Sequence, residues 1–494
     1  MGSRVGLNAL DFGVIAAYLV GVTLFGLRFR VRERTLRGYF LAGNRIPWWA
    51  ISISIVAAET STLTIISVPG MAFTGDFRFL QLGLGYIVGR VFVALVLVPQ
   101  YFRGELVTAY QLMARRFGER MRAMTAGLFL LTRAAAEGVR VFAVAIVVRI
   151  ALGSMLGGMS SLGRDVAAIG IVTVLTLVYT FEGGMAAVIW TDVVQLSLYV
   201  AGAVLAVFTL GHGVTGGWSA IAATADAAGK LQMFDWSLRW SDTYTFWAGV
   251  IGGAFLTTAS HGTDQLIVQR LLAARSEGEA KGALIASGVA VFGIFALFLA
   301  IGTGLWAYYR AVGPSAVFAR ADAVFPTYIA TRMRHGVAGL MVAAILAAAM
   351  SNLSASLNSL SSTSVVDFYA RWFPDASEAR RLRLSRGLTG MWALVLFGLA
   401  IAARHGGTVL EMGLSIASVA YGALLGAFLL GVLTRRATER GAMAGMLCGL
   451  AVDVWCWMGT RIPYTWWVVV GSAVTFAVGY GASLAWKEDR VASL

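Results

Sequence analysis

The sequence predicts an all-α polytopic membrane protein with about thirteen transmembrane helices. Apolar residues make up 58% of the 494 positions and charged residues only 13%, a composition too apolar for a soluble multidomain protein. The mean hydropathy of +0.76 agrees with this reading. Apolar runs of about 20 residues, the length that a helix needs to cross a bilayer, recur from one end of the chain to the other.

The predicted spans follow one another along the whole chain. They lie at residues 7–28, 47–73, 79–102, 123–152, 165–181, 185–211, 244–269, 283–309, 336–370, 387–403, 407–433, 441–460 and 463–486. Since no segment remains for a soluble catalytic domain, we predict one transmembrane domain over residues 1–494 and no enzymatic activity. Span 1 lacks the features of a cleaved signal peptide. The two longest outside connections, 212–243 and 310–335, are predicted to form short surface helices.

The basic residues predict the orientation of the chain. With the N-terminus outside, 24 of the 39 Lys and Arg residues lie in inside loops, 11 lie in outside segments, and the remaining four lie within spans. The positive-inside rule therefore predicts an outside N-terminus and a cytoplasmic C-terminus in the inner (plasma) membrane. The net charge of +14 is spread over many loops, so a nucleic-acid partner is not expected.

Two apolar spans, five spans apart, are interrupted by polar residues. In span 2 the interruption comprises Glu59, Thr60, Ser61, Thr62 and Thr64, and in span 7 it covers residues 257–265. Backbone in a bilayer must satisfy its own hydrogen bonds, so such interruptions indicate helices broken around a protein-enclosed cavity. Paired interruptions are typical of a transport site. Close packing of small hydroxyl residues is the alternative, but it does not explain Glu59.

Span 9 is rich in hydroxyl and amide side chains between residues 351 and 364. Helical spacing places Ser351, Ser354 and Asn358 on one stripe, with Asn352 beside it. Oxygen atoms of this kind are the ligands that a small hard cation prefers, although small residues also allow close helix packing. The polar break in span 2 favours a cation site shared between spans 2 and 9.

Five motifs, in order, resemble those of the sodium:solute symporter family. They are FLAGNRIPWW, GGMAAVIWTDVVQ, GTDQLIVQRLLAARS, SNLSASLNSLSSTSVVDFY and LSIASVAYGALLGAFLLGVLTRR. The resemblance extends over nearly the whole chain. It implies a LeuT-type core of two inverted five-helix repeats with discontinuous spans 2 and 7. The parts would be an extra N-terminal helix at 7–28, repeats at 47–211 and 244–433, and two C-terminal helices at 441–486.

The resemblance also implies the activity and the sodium ligands. The activity is import of a small polar or anionic organic solute by alternating access, with Na⁺ as the coupling ion and no organic cofactor. The implied ligands are the backbone carbonyls of Ala57, Thr60 and Ala348 and the side chains of Ser351 and Asn352. Asn352 departs from the Ser or Thr of many members, but an amide oxygen can still coordinate sodium. An additional sodium, present in some members, would use Asp192 and Ser354, although Ala355 replaces the second serine of that site.

The resemblance also implies five candidates for the substrate cavity: Glu59, Thr64, Ser260, His261 and Asp264. Glu59 would hold sodium, contact the substrate or titrate, and the alternative is a structural ion pair with an intramembrane arginine. For His261 the alternative is an ordinary buried histidine. In span 4, Arg133 and Glu137 are one helical turn apart and are predicted to pair.

Two rival functions remain open from the sequence. The first is proton-coupled symport, with Glu59 or Asp192 as the titrating group. The second is a transporter-like membrane sensor, which would need an output segment that the sequence after span 13 does not provide. Cys448 and Cys456 indicate neither a disulfide framework nor a zinc site. The expected partners are a small solute, sodium and the lipid bilayer, and the oligomeric state stays open.

Overall fold

The structure is a computed structural model that describes residues 7–28, 36–104, 106–152, 158–312, 318, 320–405 and 409–486. Some residues used in the sequence predictions lie outside this range. They are Pro314 in an outside connection and, from the count of basic residues, Arg4, Arg30, Arg32, Arg34, Lys487 and Arg490.

Most of the described chain is helical. Its α-helices are α1 Ala9–Arg28, α2 Leu36–Leu41, α3 Trp48–Glu59, α4 Thr62–Thr74, α5 Leu80–Phe92, α6 Val98–Phe102, α7 Tyr110–Arg116, α8 Glu119–Ala151, α9 Ser161–Gly213, α10 Gly217–Ala227, α11 Gly253–Gly262, α12 Gln265–Leu272, α13 Glu277–Val312, α14 Val324–Arg332, α15 Val337–Thr363, α16 Ala370–Trp372, α17 Glu378–Ala402, α18 Val409–Leu433, α19 Glu439–Gly459 and α20 Tyr464–Ala485. Turns of π-helix at Val93–Leu97, Ala248–Gly252 and Ser364–Tyr369 join or extend some of them.

Nine of the described helices are long and apolar enough to cross a membrane, and the bent pair α3 and α4 makes a tenth. The fold-class prediction of an all-α polytopic protein is therefore confirmed, while the count of thirteen spans stays a prediction. The three additional predicted spans are also helical. Span 4 lies in α8, which contains buried charges, span 5 is the first part of α9, and span 7 is divided into short helices.

Helix α15 lies at the centre of the bundle and α1 at its edge. In the apolar segment that contains α15, 89% of the residues are buried, whereas in that of α1 only 17% are buried. Asp11 of α1 accepts hydrogen bonds from the backbone N–H groups of Gly336 at 2.6 Å and Gly339 at 2.9 Å. These groups lie at the start of α15, where helical N–H groups have no partner within the helix. These hydrogen bonds therefore connect the peripheral helix α1 to the N-terminal end of the central helix α15.

Helix α9 contains the predicted spans 5 and 6, which meet at a kink. Gly184 has φ of 56° and ψ of −163°, a conformation that side chains other than that of glycine rarely allow. A Cβ atom at this position would also lie 2.7 Å from the carbonyl oxygen of Tyr39. Glycine at 184 therefore permits both the bend and the close approach of the α2 backbone.

The two outside connections contain the predicted short helices, α10 and α14. Helix α10 is largely exposed, as expected of a surface helix. Helix α14 is instead mostly buried, and in the turn before it the buried Asp322 accepts a hydrogen bond from Ser67 of α4 at 2.7 Å. The second connection therefore packs into the bundle, because a polar anchor and the apolar residues of α14 both face α4.

Candidate functional site

The first broken helix opens at Thr60 and Ser61, where α3 and α4 meet at an angle of 60°. Ser61 is extended, and its side chain accepts a hydrogen bond from the backbone N–H of Leu63 at 3.2 Å, so it caps the start of α4. The break falls within the predicted polar interruption. Pro69 and Gly70, which follow the interruption in the sequence, lie inside α4.

The second broken helix opens at Thr263 and Asp264, between α11 and α12. Asp264 is extended, and its carboxylate accepts from the backbone N–H of Leu266 at 2.9 Å. This break also lies within its predicted interruption. Both breaks present helix ends, with their unpaired backbone groups, to the interior of the protein.

The residues predicted as sodium ligands lie where α3 meets α15. The Asn352 side-chain N–H₂ donates to the Ala57 carbonyl at 3.2 Å, which joins the end of α3 to the middle of α15. Ala348 is buried one helical turn before Asn352, and Thr60 lies in the adjacent break with its hydroxyl on the carbonyl of Val56 at 2.6 Å. The structure therefore brings Ala57, Thr60, Ala348 and Asn352 into one region.

Ser351, the fifth predicted ligand, donates its hydroxyl to Asp192 of α9. The same carboxylate accepts from Ser54 and from Arg270, whose Nη2 lies 3.0 Å away. Asp192 thus pairs with Ser351 rather than with Ser354, whose hydroxyl has no partner among the described residues. The 24 basic residues predicted in inside loops include Arg270, which directly follows span 7. The structure corrects this prediction: Arg270 lies in α12, and its side chain is 0% exposed, because the Asp192 carboxylate compensates its charge inside the bundle.

Glu59 forms an ion pair with Arg90 of α5, the arrangement that the sequence left as an alternative. The Arg90 guanidinium is completely buried and also lies 3.0 Å from Nε2 of His261, which is 3.5 Å from the Glu59 carboxylate. The hydroxyl of Ser260 is 2.8 Å from the other ring nitrogen of His261. These four side chains tie the break of span 2 to that of span 7 and to α5.

Asp264 is the centre of a second polar cluster. Its carboxylate lies 3.3 Å from Arg133 of α8 and accepts the hydroxyl of Tyr421 of α18 at 2.7 Å. Arg133 also contacts Ser356 of α15 at 3.1 Å and Glu137 at 3.3 Å, so the predicted pair within span 4 is present. The second break is thereby bonded to α8, α15 and α18.

Arg140 extends this cluster to the first break. One of its N–H groups donates to the amide oxygen of Asn352 at 2.7 Å, and the same nitrogen lies 3.6 Å from the Glu137 carboxylate. Asn352 in turn donates to Ala57. A chain of polar contacts therefore connects Asp264 to Ala57 through one face of α8.

A central cavity lies between the two breaks. All five predicted cavity residues line it, namely Glu59, Thr64, Ser260, His261 and Asp264. The wall also includes Arg133, Arg140 and Tyr421, with Tyr86 and Phe295 on the apolar side. The cavity combines a few converging polar groups with an apolar lining.

The sequence analysis does not identify the partners of the Glu59 and Asp192 carboxylates, which are Arg90 of α5 and Arg270 of α12. A lone arginine in an apolar span is itself a signal, since a buried guanidinium requires an acidic partner. That signal identifies Arg90 as a residue in need of a carboxylate, but it does not say which one.

Comparisons with known proteins show sequence relatives along the whole chain. It is 30% identical to the sodium/sialic acid symporter NanT of Aliivibrio fischeri, with 98% of this chain and 94% of that protein aligned. It is also 30% identical to the sodium/sialic acid symporter SiaT of Proteus mirabilis, with coverage of 95% and 94%. A solved structure of a Na⁺-coupled sialic acid symporter, substrate-bound and outward-open, matches with a TM-score of 0.87 at 28% identity, covering 97% of this chain and 98% of that one.

The family expectation is confirmed by a sequence model of the sodium:solute symporter family, which matches residues 39–449. The LeuT-type fold expected from the resemblance is confirmed with it. The relatives are transporters, so the expected class of activity is transport driven by sodium and not catalysis. The chain belongs to the sodium:solute symporter family and is a multi-pass, sodium-coupled symporter of a small solute.

Proposed function

We propose that this symporter imports a small organic acid together with sodium. The main support is Arg140, which lines the central cavity with 22% of its side chain exposed. Arg90 and Arg133 are 0% and 6% exposed, and each lies closer than Arg140 to a carboxylate. Arg140 is therefore the guanidinium available to an acidic group of the solute, which it would bind with two parallel hydrogen bonds.

The charge balance of the cavity supports transport of an anion with a cation. Over the described residues, its wall and the partners bonded to it contain three arginines and three carboxylates: Arg90, Arg133, Arg140, Glu59, Glu137 and Asp264. Their formal charges sum to zero. A single added ion would remain uncompensated in a site of low dielectric, which is costly. When a carboxylate and a sodium ion bind together, the total formal charge of the cavity stays at zero. Binding of each ion therefore favours binding of the other.

The names of the relatives narrow the solute class. Two are sodium/sialic acid symporters, and sialic acid is a sugar acid with one carboxylate. We therefore propose sialic acid, or a hydroxylated acid of similar size, as the first solute to test. Thr64, Ser260 and His261 would contact its hydroxyl or amide groups, while Glu59 and Asp264 would hold the arginines of the wall in place.

For sodium we propose a site formed by the carbonyls of Ala57, Thr60 and Ala348 and by the side chains of Ser351 and Asn352. The contact of Asn352 with Ala57 and the burial of Ala348 support this set. Hydroxyl, carbonyl and amide oxygens suit sodium, a hard cation. Sodium there would hold the break of span 2 against span 9 and so stabilise the outward-open form.

For the additional sodium we propose Asp192 and Ser354. The unpartnered, buried hydroxyl of Ser354 supports the proposal. Arg270 weighs against it, because a guanidinium 3.0 Å from Asp192 already balances that carboxylate. A second sodium would therefore have to displace Arg270 or share Asp192 with it, and we expect it to bind more weakly than the first.

We propose that the chain lies in the inner (plasma) membrane with the N-terminus outside and the C-terminus inside. If Arg270 is left out, the predicted inside loops still contain more basic residues than the outside segments, as the positive-inside rule requires. Within the bilayer, residues 47–211 and 244–433 would form the two inverted repeats, with 7–28 and 441–486 outside them. Alternating access would then expose the cavity to each side in turn.

Uptake into proteoliposomes tests the function. The purified chain should accumulate labelled sialic acid when sodium is present outside, and it should not do so when potassium replaces sodium. Arg140→Gln should abolish uptake of the acid. The matched control is Arg149→Gln on the same helix, because Arg149 pairs with Asp165, which keeps a second partner in Arg404.

Each result that would contradict the proposal rejects a different part of it. Uptake that persists without sodium and follows a proton gradient would favour the rival of proton coupling. Full uptake by Arg140→Gln would remove the support for an acidic solute. Sodium-dependent uptake of a neutral sugar or amino acid, with sialic acid excluded, would retain the symporter and reject the solute class.

A further inference from the structure

The contact between Arg140 and Asn352 joins the proposed substrate site to the proposed sodium site. The Arg140 guanidinium donates to the Asn352 amide oxygen at 2.7 Å. That oxygen is the only atom by which the Asn352 side chain can ligate a cation, since the amide nitrogen is a donor. In this structure the amide nitrogen donates to the Ala57 carbonyl, which is another proposed sodium ligand. The guanidinium and a sodium ion therefore seek the same oxygen.

Arg140 lies between two cavities. It lines the central cavity, and it also lines a smaller one formed by Ser61, Glu137, Asn352 and apolar residues of α8 and α15. Glu137 stays within 3.3 Å of Arg133, so it retains a cationic partner if Arg140 moves away. Because Arg140 already lines the central cavity, its guanidinium can leave Asn352 without leaving the polar surroundings of the two cavities.

Two positive charges a few ångströms apart repel strongly where water is scarce. Sodium bound to the Asn352 oxygen would therefore expel the guanidinium from that side of α8. An organic acid in the central cavity would attract the same guanidinium from the other side. Both ions favour the same displaced position of Arg140.

We propose that Asn352 couples sodium to the solute by exchange of Arg140: sodium takes the Asn352 oxygen, and the displaced guanidinium binds the acidic group of the solute. The inference rests on the proposed function for the identity of the solute, but the competition between sodium and Arg140 does not depend on it. Binding of either ion removes the obstacle to the other, which makes their affinities reciprocally coupled.

The proposed exchange requires an asparagine side chain at position 352. Asparagine is long enough to bring its oxygen within 2.7 Å of the guanidinium. Serine would offer sodium a hydroxyl but ends closer to the backbone, and it would leave Arg140 free whether or not sodium is bound. Asn352→Ser should therefore preserve a sodium ligand while removing the competition.

The first experiment measures sodium binding without any solute. The purified full-length chain is titrated with NaCl against a potassium background of constant ionic strength, and tryptophan fluorescence reports the apparent affinity. Arg140→Gln should bind sodium about tenfold more tightly than the unmodified chain, because the competing cation is gone. Arg149→Gln, on the same helix, should leave the affinity unchanged. An Arg140→Gln variant with unchanged or weaker sodium affinity overturns the proposal.

The second experiment measures binding of sialic acid in sodium and in potassium by calorimetry. For the unmodified chain we expect affinity to be about tenfold higher in sodium, and for Asn352→Ser we expect the ratio to fall to about threefold or less. The ratio should fall because Asn352→Ser binds sialic acid more tightly in potassium than the unmodified chain does. Arg149→Gln, whose partner Asp165 lies outside both proposed sites, is again the control and should keep the full ratio. A full ratio in Asn352→Ser would contradict the exchange, even if Arg140→Gln does not fold.

The two experiments separate the two proposals. If the unmodified chain binds no sialic acid while Arg140→Gln still tightens sodium binding, the exchange stands and the proposed solute is wrong. If sialic acid is taken up with sodium but neither variant changes the coupling, the proposed function stands and the exchange is wrong.

Discussion

The ion pair of Glu59 and Arg90 gives the sharpest prediction about stability. Glu59→Gln keeps the size of the side chain and removes its charge. The Arg90 guanidinium is 0% exposed, and two of its nitrogens, Nε and Nη1, have no hydrogen-bond partner within the described part of the chain. Glu59 is its only acidic contact there. Without that carboxylate the bundle would contain an uncompensated buried charge.

The expected loss can be estimated from this burial. Removing one partner of a buried ion pair typically costs about 3–5 kcal/mol. With an unfolding entropy of roughly 2.1 cal/mol/K per residue, the 494 residues give about 1 kcal/mol/K, so the melting temperature should fall by about 3–5 °C. Thermal unfolding of the purified protein, followed by tryptophan fluorescence, measures this shift. Arg90→Gln alone should destabilise the protein by less, because Glu59 is partly exposed and still has His261 nearby.

The double variant Glu59→Gln/Arg90→Gln separates structure from transport. With both charges removed, the melting temperature should return to within about 1–2 °C of the original, since a buried pair contributes little net stability. Solute affinity should stay weakened, because Glu59 also lines the cavity. Full transport by the stable double variant would mean that the pair serves only the fold. A Glu59→Gln protein as stable as the original would refute the argument from burial.

Three further predictions follow from orientation and from the sodium region. In a Cys448→Ser background, cysteine at the exposed position 232 should react only with external reagent, and cysteine at Arg435 only from the cytoplasmic side. Ser351→Ala should raise the sodium concentration for half-maximal uptake by about tenfold or more, as the loss of roughly 1.5–3 kcal/mol implies, and saturating sodium should restore solute affinity. Asp192→Asn should destabilise the protein by about 3–5 kcal/mol, and adding Arg270→Met should reverse the loss in thermal unfolding.

The sequence predicted the two breaks because they violate a strong physical rule. Polar residues in an apolar span need a reason, and the only reasons available are packing, ion pairing or a cavity. Glu59 and Asp264 both lie next to a helix end and line the central cavity. The interruptions at residues 59–64 and 257–265 contain the breaks, and the structure shows Ser61 and Asp264 capping the helices that follow.

The partners of the charges could not be predicted in the same way. Ser351 and Ser354 are three residues apart on one stripe, so the periodicity of α15 alone does not decide which of them faces Asp192. The structure selects Ser351, because α3 supplies Ser54 and α12 supplies Arg270 to the same carboxylate. These contacts join residues far apart in the chain, and no local pattern encodes them.

The spacing within α8 connects these observations. Arg133, Glu137 and Arg140 are separated by four and three residues, which places all three on one face of the helix. The first bonds Asp264 at the break of span 7, and the last bonds Asn352 beside the break of span 2. We therefore expect a change of charge at one break to affect the other through α8, which is not broken itself. Glu137 is indispensable to this arrangement because it keeps two arginines, with like charges, on adjacent turns of a buried surface. Its replacement by glutamine should reduce both solute and sodium binding, whereas loss of Asp264 alone should act first on the solute.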